Sequence, residues 1–159
     1  VISLQPIITR LAAPPQGFKP LWFRQVDGAA AYALLRPDTL PYPAAWVVRA
    51  SDRAARQGER SALATPEFDV VIAIENTRRH ALGETDEILL AYRQAVFTLL
   101  EGWQAAAHQQ PIRWQGGKVV EYTAQDLFWA DRYAFDGLVT NYLGNPPAFD
   151  QLVYTGEKP

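Results

Sequence analysis

Leu4, Ile7, Ile8 and Leu11 fall at the i, i+3, i+4, i+7 spacing of one helical face, and Ser3 stands where a cap for the first turn belongs. Pro14 and Pro15 end that helix, because proline lacks an amide proton and drives the residue before it out of helical conformation. Residues 21–26 are rich in aromatic and β-branched side chains and predict a strand, and the alanine-rich stretch 28–35 predicts one or two helical turns. Pro37, Pro41 and Pro43 then force an extended passage into a second strand over 44–50, where Trp46, Val47 and Val48 suit a core.

Residues 51–65 break this pattern. Asp52, Arg53, Arg56, Glu59 and Arg60 surround Gly58 with little apolar periodicity, which predicts an exposed, mobile loop. Loops of that length are uncommon in compact domains and usually carry function or are ordered by a partner, so the segment is an interface candidate. Beyond it Phe68, Val70, Ile72 and Ile74 alternate with Asp69, Val71, Ala73 and Glu75, the mark of a central strand.

After a polar turn over 76–82, Thr85 is placed to cap a helix with Asp86 and Glu87 in its first turn, near the positive end of the helix dipole. Ile88, Tyr92, Ala95, Val96, Leu99, Leu100 and Trp103 keep helical spacing, and Gly102 sits where a left-handed cap belongs. At about 25 cal/mol per Å² of apolar surface, burying that stripe makes this helix the centre of the core, with Tyr92 and Leu99 inward. Gln115, Gly116 and Gly117 predict a hairpin turn between strands over 112–114 and 118–123. Residues 128–142 predict a last strand that shifts phase, or breaks, near Asp136 and Gly137.

The whole predicts an α+β fold: a mainly antiparallel sheet with a long central helix and a short N-terminal helix packed on it. No internal repeat or composition break divides the chain, so one domain is expected over 1–145 with an extended C-terminal tail over 146–159. The 159 residues carry 48% hydrophobic and 20% charged side chains, which suits a folded core, and a net charge of -2 with pI near 5.7 announces no nucleic-acid partner. The chain has no cysteine, which excludes disulfides, thiolate metal sites and cysteine nucleophiles. No stretch approaches the roughly 20 apolar residues of a membrane span, and residues 1–11 lack the pattern of a signal peptide, so no membrane partner and assembly in the cytoplasm are expected.

Candidate chemistry is sparse. His80 and His108 stand in no metal-ligand spacing and read as surface residues. Asp131 lies among Trp129, Tyr133 and Phe135, where burial could perturb it, but no second acid completes a catalytic pair; a solvated acid, or one paired across a subunit contact, is the simpler reading. Residues 115–118 lack the spacing and hydroxyl of a phosphate loop, and Ser51 and Ser61 lie in no nucleophile elbow. No catalytic, cofactor or metal site is therefore expected, and the chain reads as no enzyme. Arg49, Arg53, Arg56 and Arg60, spaced by three and four, would line one side of a helix if ordered and could touch phosphates; Asp52 and Glu59 favour a salt-bridged protein contact instead.

This succession resembles the tail terminator family of long-tailed bacteriophages. The resemblance lies in the N-terminal helix over 2–11, Pro43-Ala44-Ala45-Trp46-Val47-Val48 entering a strand, the strand from Phe68 to Ile74, the long helix ending Leu99-Leu100-Glu101-Gly102-Trp103, and closing strands over 112–142. It implies a structural virion protein, assembled in the host cytoplasm and placed at the head-proximal end of the tail. It further implies a homo-oligomeric ring, commonly a hexamer, that caps the tail tube, ends polymerisation and joins a head-connector or neck protein, with DNA passing through. The absence of catalytic motifs, the charged loop and more aromatic residues than a small core requires agree with it. Three alternatives stay open: another neck, connector or tail-completion subunit, a small nucleic-acid-binding domain using the arginines of 49–60, and an enzyme using Asp131 or His80.

Overall fold

The computed structural model describes residues 2–35, 40–75, 84–123 and 125–140. Its elements are α1 (Gln5–Leu11), β1 (Gln25–Gly28), α2 (Ala29–Ala33), β2 (Ala44–Gln57), β3 (Ser61–Glu75), α3 (Glu84–Leu100), β4 (Arg113–Tyr122), β5 (Asp126–Ala134) and β6 (Gly137–Thr140). The strands form one sheet in the order β1-β2-β3-β5-β4, and β6 pairs the start of β3 beyond the end of β5. Among the described strands only β1 and β2 are parallel; the other pairs are antiparallel. The expected α+β class, with its long helix and short N-terminal helix, is the one observed.

β3 is central because both its faces are apolar. Phe68, Val70, Ile72 and Ile74 turn toward α1 and α3 and share a buried cluster with Ile7, Leu11, Leu89, Tyr92, Val96 and Leu100. Val71 and Ala73 turn the other way and pack with Trp46, Phe128 and Ala130 beneath α2. The two faces together explain why this strand carries almost no charge over its second half.

Several elements depart from expectation. Residues 51–65 are not a loop: β2 and β3 run through them as an antiparallel ribbon closed by a turn at Gly58, whose N–H donates to the Ser61 carbonyl at 2.7 Å. Sparse apolar periodicity there reflects a ribbon with solvent on both faces, where side-chain alternation has no core to record. Likewise, 115–117 is no hairpin turn. β4 is continuous, bulged at Gln115, with Gly116 at φ +128° in the bulge. Gly117 pairs with Asp131, and a Cβ there would run into the Asp131 carboxylate and lie 2.7 Å from Trp129 Nε1, so the glycine serves close approach.

Residues 21–24 are not strand. Their aromatics form a cluster on α3 instead, with Phe18 and Trp22 ring centroids 5.0 Å apart and Phe23 stacked on Tyr92 at 5.1 Å. Thr85 lies inside the first turn of α3, and Leu4 rather than Ser3 is the cap position of α1, though Ser3 Oγ accepts from Gln5 N–H at 3.1 Å. Tyr92 points inward as expected; Leu99 is half-buried at the core margin, and Leu89 and Leu100 take the central places. Gly102 has φ +76°, as a left-handed cap requires, and its N–H donates to the Ile112 carbonyl at 2.8 Å, tying the helix exit to the approach of β4. The break near Asp136 separates β5 from β6. The expected turn over 76–82, with His80, and the tail over 146–159 lie outside the described residues.

Candidate functional site

The ribbon of β2 and β3 projects past the body of the sheet. β1 covers only Ala44–Val47 of β2, β5 begins to cover β3 at Glu67, and every residue from Ala50 to Arg60 is exposed. A segment with no buried face gains little from its own core, so its order rests on the ladder with β3 and on β6, which pairs Ser61–Ala64.

The six expected interface residues all lie on this arm or at its root. Arg49 is held at the root by Asp52 and by the Ile2 carbonyl. Arg53 reaches Glu67 at 3.2 Å, with its side chain 70% exposed, a pair of the weak surface kind. The side chains of Arg56, Glu59 and Arg60 form no hydrogen bond or ion pair with another described residue. Because the segment is strand and bulged between Arg49 and Ser51 and between Ala54 and Arg56, these arginines do not form the single helical stripe that their spacing suggested.

Asp131 takes neither of its expected roles. It lies on β5, which has neighbours on both sides, and it is 2% exposed. Arg93 of α3 donates to it through two nitrogens at 2.8 and 2.9 Å, and Trp114 Nε1 donates at 3.0 Å. The Arg93 guanidinium also lies 4.4 Å over the Trp129 ring. Those hydrogen bonds hold the Arg93 pKa above its ordinary value, and burial, followed by the charge of Asp131, pushes the Tyr133 phenol up. Arg132 turns to the opposite face and meets Asp69 at 2.9 and 3.0 Å. The Asp131 arrangement is an internal tie between α3 and the sheet.

Above that tie lies an open groove of about 240 Å³ lined by Leu90, Arg93, Phe97, Trp114, Asp131 and Tyr133. Its apolar rim continues along β4, a strand whose residues are exposed except for Gly116. Trp114, Val119 and Tyr122 pair with Tyr133, Trp129 and Leu127 of β5, which puts them on the α3 side of the sheet. Sequence reasoning missed this surface, since the same apolar residues fit an interior strand until the strand order makes β4 an edge.

His108 is half-buried in the segment after α3. Among the described residues no group of His, Asp and Glu is arranged to hold a metal ion, and no helix is long and apolar enough to cross a membrane. The family model described as phage tail terminator protein matches residues 1–141. Among curated proteins none matches the chain.

Proposed function

Because this chain belongs to the phage tail terminator protein family, structural and non-enzymatic proteins of the virion tail that end the tail tube, we propose that it acts as a closed ring of identical subunits. The ring, of six copies as is common in the family, seats on the head-proximal end of the tube and stops further addition. Its other face receives a head-connector or neck protein, and the genome passes through its opening.

The observation that supports this reading best is the arm. Residues 50–60 form an ordered ribbon exposed throughout, with charged side chains that, among the described residues, meet nothing beyond the pairs at its root. Surfaces of this kind fit contacts with a neighbouring subunit or with the tube, where charges steer and register the partner. A heterologous contact repeated around an axis closes a ring.

The test is the mass of the purified chain by light scattering and native mass spectrometry, with negative-stain images, followed by addition to polymerising tail-tube subunits. The expected result is a ring of regular diameter and tubes capped at one end. A chain that remains monomeric alone and with tubes, and leaves tube growth unchanged, would overturn the proposal; a ring that binds neck protein but never tubes would favour a connector subunit.

A further inference from the structure

We propose that the joint between neighbouring subunits is a strand-to-strand seam, in which the open edge of β4 in one copy pairs with the open edge of the β2 arm of the next. This rests on the ring reading above and names the surfaces that would build it.

β4 bonds to β5 on one side, and among the described residues no strand lies on the other. At its start the edge is closed by side chains: Glu101 accepts from Trp114 N–H at 2.7 Å, and the Gln115 amide donates to the Arg113 carbonyl at 3.3 Å. Among the described residues no such cover lies over the backbone from Gly116 to Tyr122. Unpaired edge groups are a template for another strand.

The same edge carries an apolar surface. Trp114 is 44% exposed, Val119 52% and Tyr122 65%, and on the adjoining flank of α3 Leu90 is 54% and Phe97 37% exposed. Taking about 150–250 Å² for a whole aromatic side chain, the three aromatics alone offer roughly 300 Å². Leu90, Val119 and the strand backbone bring the patch toward the about 800 Å² that each partner buries in a stable interface. A patch this large is more than scattered surface apolarity.

The second copy supplies a matching edge. Among the described residues no strand lies on the outer side of β2 beyond Val47, which leaves Val48–Gln57 open on the opposite side of the sheet from β4. β2, β3, β5 and β4 alternate in direction, so β4 runs antiparallel to β2. A copy rotated about an axis roughly along the strands therefore presents its β4 antiparallel to the first copy's β2, the more favourable ladder. The two edges are also bent alike: β2 is bulged between Arg49 and Ser51 and between Ala54 and Arg56, and β4 between Trp114 and Gly116 and between Val119 and Glu121. Each pair of bulges has the same interval, which discourages pairing with a straight strand while leaving the two edges similar in curvature. Because the two edges differ, the contact is heterologous and propagates around a ring, whereas β4 on β4 would stop at a dimer.

The chain has no cysteine, so introduced thiols report contacts without background. The experiment places Val119→Cys together with Arg53→Cys, Ala54→Cys, Ala55→Cys or Arg56→Cys, oxidises the assembled protein and resolves it on denaturing gels. At least one pair should give a ladder up to the full ring, while each single variant stays monomeric on the gel. In parallel, Val119→Lys with Tyr122→Lys should lower the ring fraction at least tenfold with circular dichroism unchanged. If the parent chain forms no ring, the ring reading itself fails. If rings form, yet no pair ladders and the folded lysine variant still assembles, the seam alone is overturned. Efficient dimers from Val119→Cys by itself would replace it with a β4-to-β4 contact, and a cross-link formed only when tube subunits are added would reassign the edge to the tube.

Discussion

Asp131 shows how far a single residue's role depends on partners remote in sequence. Arg93, 38 residues away, and Trp114, 17 away, supply its three hydrogen bonds, and Gly117 makes the space for its carboxylate. A buried ion pair need not add stability over an apolar substitute, but deleting one member leaves the other charged and uncompensated. Asp131→Ala should therefore destabilise the fold by about 3–5 kcal/mol, seen as a lower urea midpoint, with Asp131→Asn milder; an unchanged midpoint would show that Arg93 finds another partner. Tyr133 gives a pH prediction. Its folded pKa lies above the ordinary phenol value of about 10, mainly through burial, and Tyr42 is raised in the same direction by burial and its hydrogen bond to Asp126. A raised folded pKa stabilises fully below the unfolded value and is lost as pH climbs from there through the folded one. Stability should thus hold to about pH 10 and fall above it, and Tyr133→Phe should flatten that fall in thermal melts taken across pH 8–11.

At the scale of elements, α3 was legible because its stripe is strongly periodic, yet the periodicity left the phase of the buried face open by one position. Leu100 is fully buried, while Leu99 sits at the margin beside Trp103, its carbonyl accepting from Arg10 Nε. Leu100→Ala should cost about 2–5 kcal/mol by leaving a core cavity, and Leu99→Ala clearly less. Equal losses in chemical denaturation would mean that α3 is packed as tightly at this margin as on its core side. The arm is hidden in the sequence for a different reason. A strand pattern is visible in sequence only where one face is dry, and the ribbon from 50 to 60 has both faces wet. The turn glycine at 58 and the uncharged run Ser61-Ala62-Leu63-Ala64-Thr65 are the signals available, and they are weaker than the charges around them.

For the whole molecule the arm and the β4 edge lie on opposite flanks of one sheet, which is what assembly by a repeated contact needs. Arg53→Glu, Arg56→Glu and Arg60→Glu together should leave the subunit folded, since these side chains meet nothing but Glu67 among the described residues, and should reduce ring formation or tube docking. Both the parent and the variant should be measured across ionic strengths, because a contact steered by exposed charges weakens with salt. Undiminished assembly of the triple variant at every salt concentration would remove the arm's charges from the interface.

The sequence by itself determined the fold class, the two main helices, the central strand from Phe68 to Glu75, the left-handed cap at Gly102, and the absence of a cysteine or a histidine cluster on which chemistry could rest. These are local matters: helical and strand periods, backbone freedom at glycine and side-chain type are all properties of short stretches. The family resemblance was legible too, because it rests on the succession of those stretches. Only the tertiary structure decided that 51–65 is a ribbon, that Gly117 of β4 makes room for Asp131 and Trp129, and that Trp114, Val119 and Tyr122 face solvent. Each of those depends on which strand lies beside which. An apolar residue is core or contact surface according to its neighbour in the sheet, and strand order is set by contacts between segments far apart in the chain, which no local pattern encodes.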